Sequence, residues 1–414
     1  MTDKWDFEGE PETEPRPHGD KPDRWNEELH RTDNGEARDI LHNAAIILRK
    51  DHRFAGRLRW NQMLEAAEAE RLPWRKGAGW QAWTDADDLQ LANWCQQRHA
   101  YLKPRTVAAA VQVVARDRTH HPVRERLNAL RWDGVPRLDS WLTTYLGVIP
   151  TDYTKAVGRA WMISAVARAF APGCKVDHAL ILEGPQGVTK STLAAVLALD
   201  PALFTDQVAD LGTKDSSQDL RGKWIVELGE LSAMQRSEVE RVKSFISRAI
   251  DHYRPSYGTR SQDFPRQCVF IGTTNEDAYL HDATGNRRFW PVKVGTVDLA
   301  GLRQNVEQLW AEAVGAYRRG VKWWLDPEIE KQAREEQDKR RVSDPWEAAI
   351  VAWLQGRTTT TIAAVLEHAI AQPKERQDQR SQNRVARVLR AAKWERYRAR
   401  ENGVLAWAYR RGEP

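Results

Sequence analysis

The sequence has few cysteines and no long hydrophobic run, and each absence excludes a class of protein. Only three cysteines occur in 414 residues, Cys95, Cys174 and Cys268, and they lie far apart without metal-ligand spacing. We therefore expect free, buried thiols in a reducing cytoplasmic setting, without disulfides or a cysteine-based zinc site. No apolar run approaches the roughly 20 residues that a membrane helix needs, and the acidic, polar N-terminus is unlike a signal peptide.

A strong net charge is also lacking, because the formal charge of the whole chain is +5. The distribution is uneven, with ten acidic and four basic residues in 1–30 but ten basic and three acidic residues in 374–400. A concentration of basic residues is typical of nucleic-acid binding, so the C-terminal segment is the candidate DNA surface. The 19 tryptophans are expected to serve mostly in core packing, with base stacking as the alternative for a few.

The length of the chain indicates several domains, because a single hydrophobic core rarely extends over 414 residues. Four prolines, alternating charges and few apolar positions predict a disordered acidic tail over residues 1–36. Apolar positions at helical spacing predict helices near 40–48, 60–69, 86–94 and 107–115. The remaining predicted parts are a helical N-terminal domain (37–120), a helical connector (121–174), an α/β nucleotide-binding core (175–300), a helical linker (301–343) and a winged-helix-like domain (344–414).

A strand, a tight loop and a helix are predicted in succession at the start of the α/β core. The apolar run 179–182 leads into two glycines and a Lys-Ser pair, and an apolar-rich segment follows. Backbone N–H groups of such a loop converge on nucleotide phosphates at a helix N-terminus, where the lysine binds phosphate and the serine binds Mg²⁺. The predicted ATP-binding residues are Gly184, Pro185, Gln186, Gly187, Val188, Thr189, Lys190, Ser191 and Thr192.

One position departs from the usual pattern for this loop, Gly-x4-Gly-Lys-Ser/Thr. Thr189 occupies the place of the second glycine, and a residue with a Cβ is penalised where φ must be positive. We therefore expect Gly187 to form the turn instead. A chance glycine-rich turn is the alternative interpretation of the whole segment.

Two further apolar segments end in polar residues that suit a phosphate site. The segment 223–230 ends in carboxylates, of which Glu227 would hold hydrated Mg²⁺ and Glu230 would orient or deprotonate the attacking water. The segment 267–275 ends in Thr-Thr-Asn, where the amide of Asn275 would contact the γ-phosphate or that water. A solvated surface loop is the alternative for the two carboxylates.

Exposed cations are predicted at two other places in the core. Arg287 and Arg288 directly precede an apolar strand, and a guanidinium from this pair would stabilise the γ-phosphate on a neighbouring subunit; a salt-bridged surface pair is the alternative. Arg254, Tyr257 and Arg260 suit a loop that contacts a nucleic-acid backbone and stacks on a base. For that segment a purely structural hairpin is equally compatible with the sequence.

The C-terminal segment from Pro345 onward reads as three helices and a hairpin, the order of elements in a winged helix. The third of these helices carries the predicted DNA-binding residues Asn383, Arg384, Arg387 and Arg390, several of which share a face at a spacing of three to four. A solvated basic helix without a DNA partner is the alternative.

Taken in order, these segments resemble the virulence-associated protein E family. The likeness rests on Glu183-Gly-Pro-Gln-Gly with Lys190-Ser191, Trp224-Ile-Val-Glu-Leu-Gly-Glu, Arg254-Pro with Tyr257-Gly, Phe270-Ile-Gly-Thr-Thr-Asn and Gly285-Asn-Arg-Arg-Phe-Trp-Pro. It extends over roughly residues 120–400. That family is found on phages and mobile islands and is similar to superfamily 3 helicases of the AAA+ class.

The resemblance implies an AAA+-like P-loop ATPase core that uses ATP and Mg²⁺ and assembles into a ring, with a hexamer as the expected form. It implies an ATP-dependent DNA helicase or translocase that acts in replication of a phage or mobile element. Single-stranded or forked DNA would be the partner of the core, and duplex DNA that of the C-terminal domain. The alternative function is a nucleotide-switched DNA-binding regulator, or a defence-type ATPase, without unwinding activity.

Overall fold

The computed structural model describes residues 24–208, 211–229, 236–255, 258, 260–280, 285–342, 344–401 and 404–411. The chain divides into two compact units, Met1–Glu125 and Arg126–Pro414. Among the described residues, none of the helices combines the length and the apolar character required to cross a membrane.

The N-terminal unit is a mixed α/β structure, not the all-helical domain predicted. Its strands form one four-stranded sheet in the order β3-β2-β1-β4. Its elements are a 3-10 helix (Arg24–Glu28), α1 (Leu41–Lys50), β1 (Leu58–Asn61), β2 (Ala66–Ala69), β3 (Gln81–Ala82), α2 (Asp85–Arg98), α3 (Pro104–Ala115), β4 (Thr119–His120) and the start of α4 (Pro122–Ala129).

Two sequence predictions for this unit are corrected by the structure. The segment 60–69 forms the antiparallel β1–β2 pair, in which Arg59 and Glu68 lie directly opposite and form an ion pair at 2.7 Å. Cross-strand pairing of this kind stabilises a sheet and here overrides the helical spacing of the apolar residues. The predicted tail extends too far, because Trp25 and Leu29 are buried in the core of the unit.

The second unit contains a five-stranded parallel sheet, which confirms the predicted α/β class at the level of a mixed fold with a parallel sheet. The strand order is β11-β5-β10-β7-β6. The elements are α5 (Trp141–Leu146), α6 (Asp152–Phe170), β5 (Ala179–Glu183), α7 (Lys190–Leu197), β6 (Phe204–Thr205), α8 (Lys214–Asp219), β7 (Ile225–Leu228), α9 (Arg236–Ile246), β8 (Ile250–Tyr253), β9 (Gln262–Pro265), β10 (Val269–Thr274), β11 (Phe289–Lys293), α10 (Leu299–Arg318) and α11 (Pro327–Lys339).

Helices from the predicted connector and linker pack directly on this sheet and its helices. The fully buried tryptophans Trp161, Trp224 and Trp310 hold the layers together. Trp161 of α6 donates its ring N–H to the carbonyl of Phe270, and Trp310 of α10 donates to that of Leu197, at 2.8 and 2.9 Å. A buried indole therefore fills space and also satisfies its polar group, the usual requirement for burial of tryptophan.

In the described residues, the C-terminal part of this unit has three α-helices, a short 3-10 helix (Lys374–Arg376) before the third of them, and a long hairpin, so the predicted order of three helices and a hairpin is found. The elements are α12 (Glu347–Leu354), β12 (Thr359–Thr360), α13 (Ile362–Ala364) with a π-helical turn after it (Val365–Ala369), α14 (Gln379–Ala391), β13 (Trp394–Glu401) and β14 (Val404–Arg411). The strands form a separate sheet in the order β12-β14-β13. The hydrophobic core of this C-terminal part contains the buried Ile350, Leu366, Val385, Leu389 and Trp394.

Candidate functional site

The loop 184–189 connects the carboxyl end of β5 to the N-terminus of α7. Gly187 has a φ of +88° and Thr189 a φ of +57°, so both residues adopt the left-handed region. The expected positive φ at Gly187 is therefore found, but it does not spare Thr189, which has a positive φ as well. An L-residue in this conformation costs about 1–2 kcal/mol relative to its ordinary conformations, so the loop retains strain at the place where the usual pattern has glycine.

Lys190 turns its side chain back over this loop. Its Nζ donates hydrogen bonds to the carbonyl oxygens of Gly184 and Pro185 at 2.6 and 2.9 Å, and to Oδ1 of Asn275 at 3.1 Å. Burial lowers the pKa of Lys190, an effect that the negative charge of Glu227 opposes. The ammonium group is thus held at the mouth of the loop, next to the residue predicted to contact the γ-phosphate.

Glu227 lies at the centre of the predicted metal site. Its Oε1 accepts hydrogen bonds from the hydroxyl groups of Ser191 and Thr273, at 2.8 and 2.7 Å. The residue is 4% exposed, and its Oε2 is buried without a hydrogen-bond partner among the described residues. A buried carboxylate oxygen without a partner is costly unless it binds a cation, and carboxylate and hydroxyl oxygens are the ligands that Mg²⁺ prefers. The residues present therefore fit a Mg²⁺ ion.

The sheet topology explains why residues distant in sequence meet here. The strand β10 lies between β5 and β7, and all three run parallel. Because parallel strands end at the same edge of a sheet, the segments after Glu183, Leu228 and Thr274 come together at the carboxyl edge, the usual ligand site in open α/β sheets. Of the predicted catalytic residues, Asn275 lies in this cluster, whereas Glu230 falls outside the described residues.

The structure places the arginine pair at the opposite, amino edge of the sheet. Phe289, directly after the pair, lies opposite Ala179 at the start of β5, whereas Lys293 lies opposite Glu183 at its end. Four residues of strand extend over about 13 Å. Both arginines are therefore far from the 184–189 loop of their own subunit.

The two arginines differ in their surroundings. Arg288 donates from Nε to the hydroxyl of Ser247 at 2.5 Å and from Nη1 to the carbonyl of Gly285 at 3.3 Å. Arg287 leaves 72% of its side chain exposed, and Asp177 lies 4.0 Å from it. Arg287 thus presents its guanidinium to solvent, whereas Arg288 is half-buried.

The segment with the predicted nucleic-acid contacts forms the β8–β9 hairpin, which extends from the same amino edge. Its strands pair from Ile250 with Pro265 to Tyr253 with Gln262. The exposed Arg254 and Arg260 flank the tip, and Tyr257 lies outside the described residues. The segment is thus a hairpin, and both its contact with DNA and a purely structural role stay predictions.

On α14 the four predicted DNA-binding residues are not equally accessible. Asn383 and Arg390 are exposed and Arg387 is half-buried. Arg384 instead forms an ion pair with Asp344 at 2.7 Å and stacks over the ring of Trp346, 4.0 Å from its centre. Its guanidinium has an intramolecular role that the periodicity of the sequence did not indicate.

Sequence reasoning missed a buried cluster directly behind the loop. The carboxylate of Glu183 accepts two hydrogen bonds from Arg340 and one from the hydroxyl of Tyr279. Thr273 was also missed, although its place in the Thr-Thr-Asn strand end is a signal that could have identified it. Arg340 has no such signal, because it lies 157 residues from Glu183, directly after a charged helix.

Comparison with known proteins gives one family and several solved structures. A model of the virulence-associated protein E-like domain matches residues 127–342, more than half of the chain. The apo structure of the NrS-1 C-terminal region is 14% identical at a TM-score of 0.48, covering 86% of this chain and 96% of that one. An A-form apo structure of the same region is 13% identical at the same TM-score and coverage. No curated protein matches significantly.

Proposed function

Because this chain belongs to the virulence-associated protein E-like family, we propose that it is an ATP-dependent DNA helicase or translocase of the superfamily 3-like type, acting in replication of a phage or mobile element. The observation that carries the proposal is the convergence of Lys190, Ser191, Glu227 and Asn275 at one edge of a parallel sheet. These residue types, at a strand–loop–helix junction, form the constellation of a nucleoside triphosphate site.

In this proposal, ATP is bound by Lys190, by the N-terminus of α7 and, through Mg²⁺, by Ser191 and Glu227. The ammonium of Lys190 exchanges the two loop carbonyls for oxygens of the β- and γ-phosphates, a gain because a charged acceptor makes the stronger hydrogen bond. The backbone N–H groups at the N-terminus of α7 face the same phosphates, where the helix dipole favours an anion. Ser191 and Glu227 would hold Mg²⁺, which neutralises charge on the phosphates when bound.

Hydrolysis needs a water molecule in line with the γ-phosphate. In this proposal Glu230 orients or deprotonates that water, and the amide of Asn275, released by Lys190, holds the water or the γ-phosphate. Because the arginine pair lies at the other sheet edge, Arg287 acts on the ATP of a neighbouring subunit, where a guanidinium stabilises transition-state charge. A ring, expected to be a hexamer, provides that neighbour at each site.

DNA would contact two basic surfaces in this proposal. Arg254 and Arg260 on the β8–β9 hairpin suit the phosphates of a single strand, with Tyr257 as a stacking residue. The exposed side of α14, with Asn383, Arg387 and Arg390, suits duplex DNA, and phosphate contacts there would recruit the enzyme to its substrate.

The decisive experiment measures unwinding of a forked duplex by the purified protein with Mg²⁺ and either ATP or a non-hydrolysable analogue. We expect unwinding with ATP alone, none for Lys190→Ala, and wild-type activity for the matched control Lys155→Ala, an exposed lysine of α6. Nucleotide binding that changes assembly or DNA affinity without unwinding would support the nucleotide-switched regulator instead. Absence of nucleotide binding would refute both functions.

A further inference from the structure

A cavity of about 460 Å³ lies at the amino edge of the sheet, away from the 184–189 loop. Three segments line it: the residues before β5, the residues around the start of β11, and the α10–α11 connection with one face of α11. The volume is within the range of about 300–1,000 Å³ that is typical of small-molecule sites. The residues that define its chemistry are Lys175, Arg287, Trp290, Trp323, Trp324 and Arg334.

One wall of the cavity is aromatic: His178, Trp290 and Trp323 are fixed by their contacts, and Trp324 is exposed. His178 and Trp290 stack with ring centres 3.6 Å apart and are nearly fully buried. The ring N–H of Trp323 donates to the carbonyl of Lys175 at 2.9 Å, which fixes its orientation. Trp324 packs edge-on against Trp323 at 5.3 Å, yet 54% of it is exposed. An indole face is therefore held in place and open to solvent.

Cations line the same cavity as this ring, and Lys322 lies over the ring itself, with its Nζ 6.0 Å from the ring centre. The side chains of Lys175, Arg287 and Arg334 are 81%, 72% and 70% exposed. Their acidic neighbours are Asp177, at 3.9 and 4.0 Å, and Glu330, at 3.4 Å. Exposed pairs at such distances contribute little, so a phosphate that accepts charge-assisted hydrogen bonds competes well for these cations.

We propose that this cavity binds a nucleotide, with its base stacked on Trp324 and its phosphate held by Lys175 and Arg334, and that single-stranded DNA supplies this nucleotide. An exposed aromatic face next to basic side chains is the arrangement by which proteins bind single strands without sequence readout. The assignment of the nucleotide to DNA rests on the proposed function. The existence of the site rests on the cavity alone.

The position of the cavity favours DNA over ATP as the source. The backbone N–H of Gly173, two residues before Lys175, donates to the carbonyl of Arg266 at 2.9 Å. Arg266 follows β9, so the lip of the cavity contacts the base of the β8–β9 hairpin. A strand bound along Arg254 and Arg260 can therefore continue toward Trp324. In the proposed function, the ATP bound by the same subunit would lie at the opposite sheet edge.

The test uses the full chain, a labelled oligo(dT) strand and Trp324→Ala, with Trp132→Ala as the control because Trp132 is 39% exposed and outside the cavity. Base stacking contributes about 1–3 kcal/mol per base, so we expect Trp324→Ala to weaken DNA binding at least fivefold, Trp324→Phe to retain most of the affinity, and the control to be unchanged. Arg334→Gln should lower the salt dependence of DNA binding, whereas Lys331→Gln, on the same helix, should not.

Photo-crosslinking with DNA that contains 5-iodouracil should modify Trp324.

A second arm measures binding of a fluorescent ATP analogue by the same variants at concentrations where the protein is assembled. If Trp324→Ala weakens ATP binding and not DNA binding, DNA is excluded as the source. If it weakens neither and no crosslink forms, the site is refuted, even where ATP-driven unwinding stays normal. A crosslink at Trp324 in a protein without ATP turnover would instead refute the proposed function and retain the site.

Discussion

Arg340 holds Glu183 through two parallel hydrogen bonds, from Nε to Oε1 at 2.7 Å and from Nη2 to Oε2 at 2.8 Å. Glu183 is the last residue of β5, directly before the 184–189 loop, and Arg340 directly follows α11. Burial alone would lower the pKa of Arg340, but the hydrogen bonds and charge of Glu183 outweigh it and raise that pKa above its usual value. The backbone carbonyl of Arg340 also accepts from the N–H groups of Tyr279 and Leu280. One residue thus connects α11, the segment after β10 and the start of the loop.

Arg340→Ala should destabilise the protein strongly, because it leaves the carboxylate of Glu183 buried without its cation. Removal of one member of a buried ion pair costs about 3–5 kcal/mol. Urea unfolding of the purified variants measures this loss. Arg334→Ala, at an exposed arginine of the preceding helix α11, should change stability by less than about 0.5 kcal/mol. The double variant Glu183→Gln/Arg340→Ala should recover part of the loss, because the buried charge is gone; no recovery would show that packing, not charge, is what Arg340 supplies.

Glu230→Gln should retain ATP binding and lose turnover, because the amide removes the group that activates water and leaves Ser191 and Glu227 in place for Mg²⁺. Glu227→Gln should instead weaken the dependence of ATP binding on Mg²⁺, since the unpartnered Oε2 is the oxygen offered to the ion. Single-turnover hydrolysis and magnesium titrations separate the two effects. If Glu227→Gln traps bound ATP and Glu230→Gln hydrolyses it, the two roles are reversed.

The sequence predicts the strand–loop–helix junction between β5 and α7 well because its signals are local. The apolar run of β5, the glycines and the Lys-Ser pair lie within about a dozen residues. Glu227 lies near the end of a second apolar strand, and Asn275 directly follows a third. The segment 60–69 was mispredicted for the opposite reason. Trp60, Met63 and Ala67 fit helical spacing and are all buried, but pairing of β1 with β2 and with the distant β4 decides its structure.

Side-chain partners are less predictable than strands. Arg384 and Arg390 lie on one helix with similar neighbours in sequence, yet Arg384 pairs with Asp344, 40 residues away, whereas Arg390 is exposed. Nothing near Thr189 in sequence shows that it would take a positive φ when glycine is absent. Long-range contacts and backbone strain are properties of the folded chain, and short sequence patterns carry no information about them.

Duplex DNA should bind the C-terminal segment mainly by electrostatic contacts. Ten basic residues lie between 374 and 400, and several are exposed together on α14 and β13. The slope of log affinity against log salt should then be about −0.9 per phosphate contact. Deletion of 345–414 should weaken binding to DNA and spare basal ATP hydrolysis, because no nucleotide ligand is assigned to this segment.

A matched pair of variants separates DNA contact from folding in this segment. Arg380→Ala/Arg390→Ala should reduce affinity and the salt slope without loss of stability, since both residues are exposed. Arg384→Ala should lower stability instead, because its contacts with Asp344 and Trp346 are internal. If DNA affinity does not depend on salt, or if deletion of 345–414 leaves DNA binding unchanged, the prediction is wrong and the β8–β9 hairpin becomes the candidate DNA site.

His178 should make stability fall in mildly acidic solution. The ring is buried against Trp290, its Nε2 lies 3.3 Å from the hydroxyl of Ser164, and burial, aided by the charge of Arg168, lowers its pKa to about 3. The pKa of histidine in the unfolded chain is about 6.5, so between these values the unfolded state binds the additional proton. The free energy of unfolding therefore decreases as pH falls below about 6.5, by about 2 kcal/mol at pH 5 for this residue.

The variant His178→Phe isolates this contribution, because phenylalanine keeps an aromatic ring against Trp290 and cannot be protonated. Urea unfolding at pH 7 and pH 5 should show a smaller loss of stability for His178→Phe than for the wild type. His42→Gln, at an exposed histidine of α1, should lose as much as the wild type. Equal losses in all three proteins would contradict the prediction. His178→Phe has no imidazole at this position, so an unchanged loss of stability at pH 5 would have to come from another group.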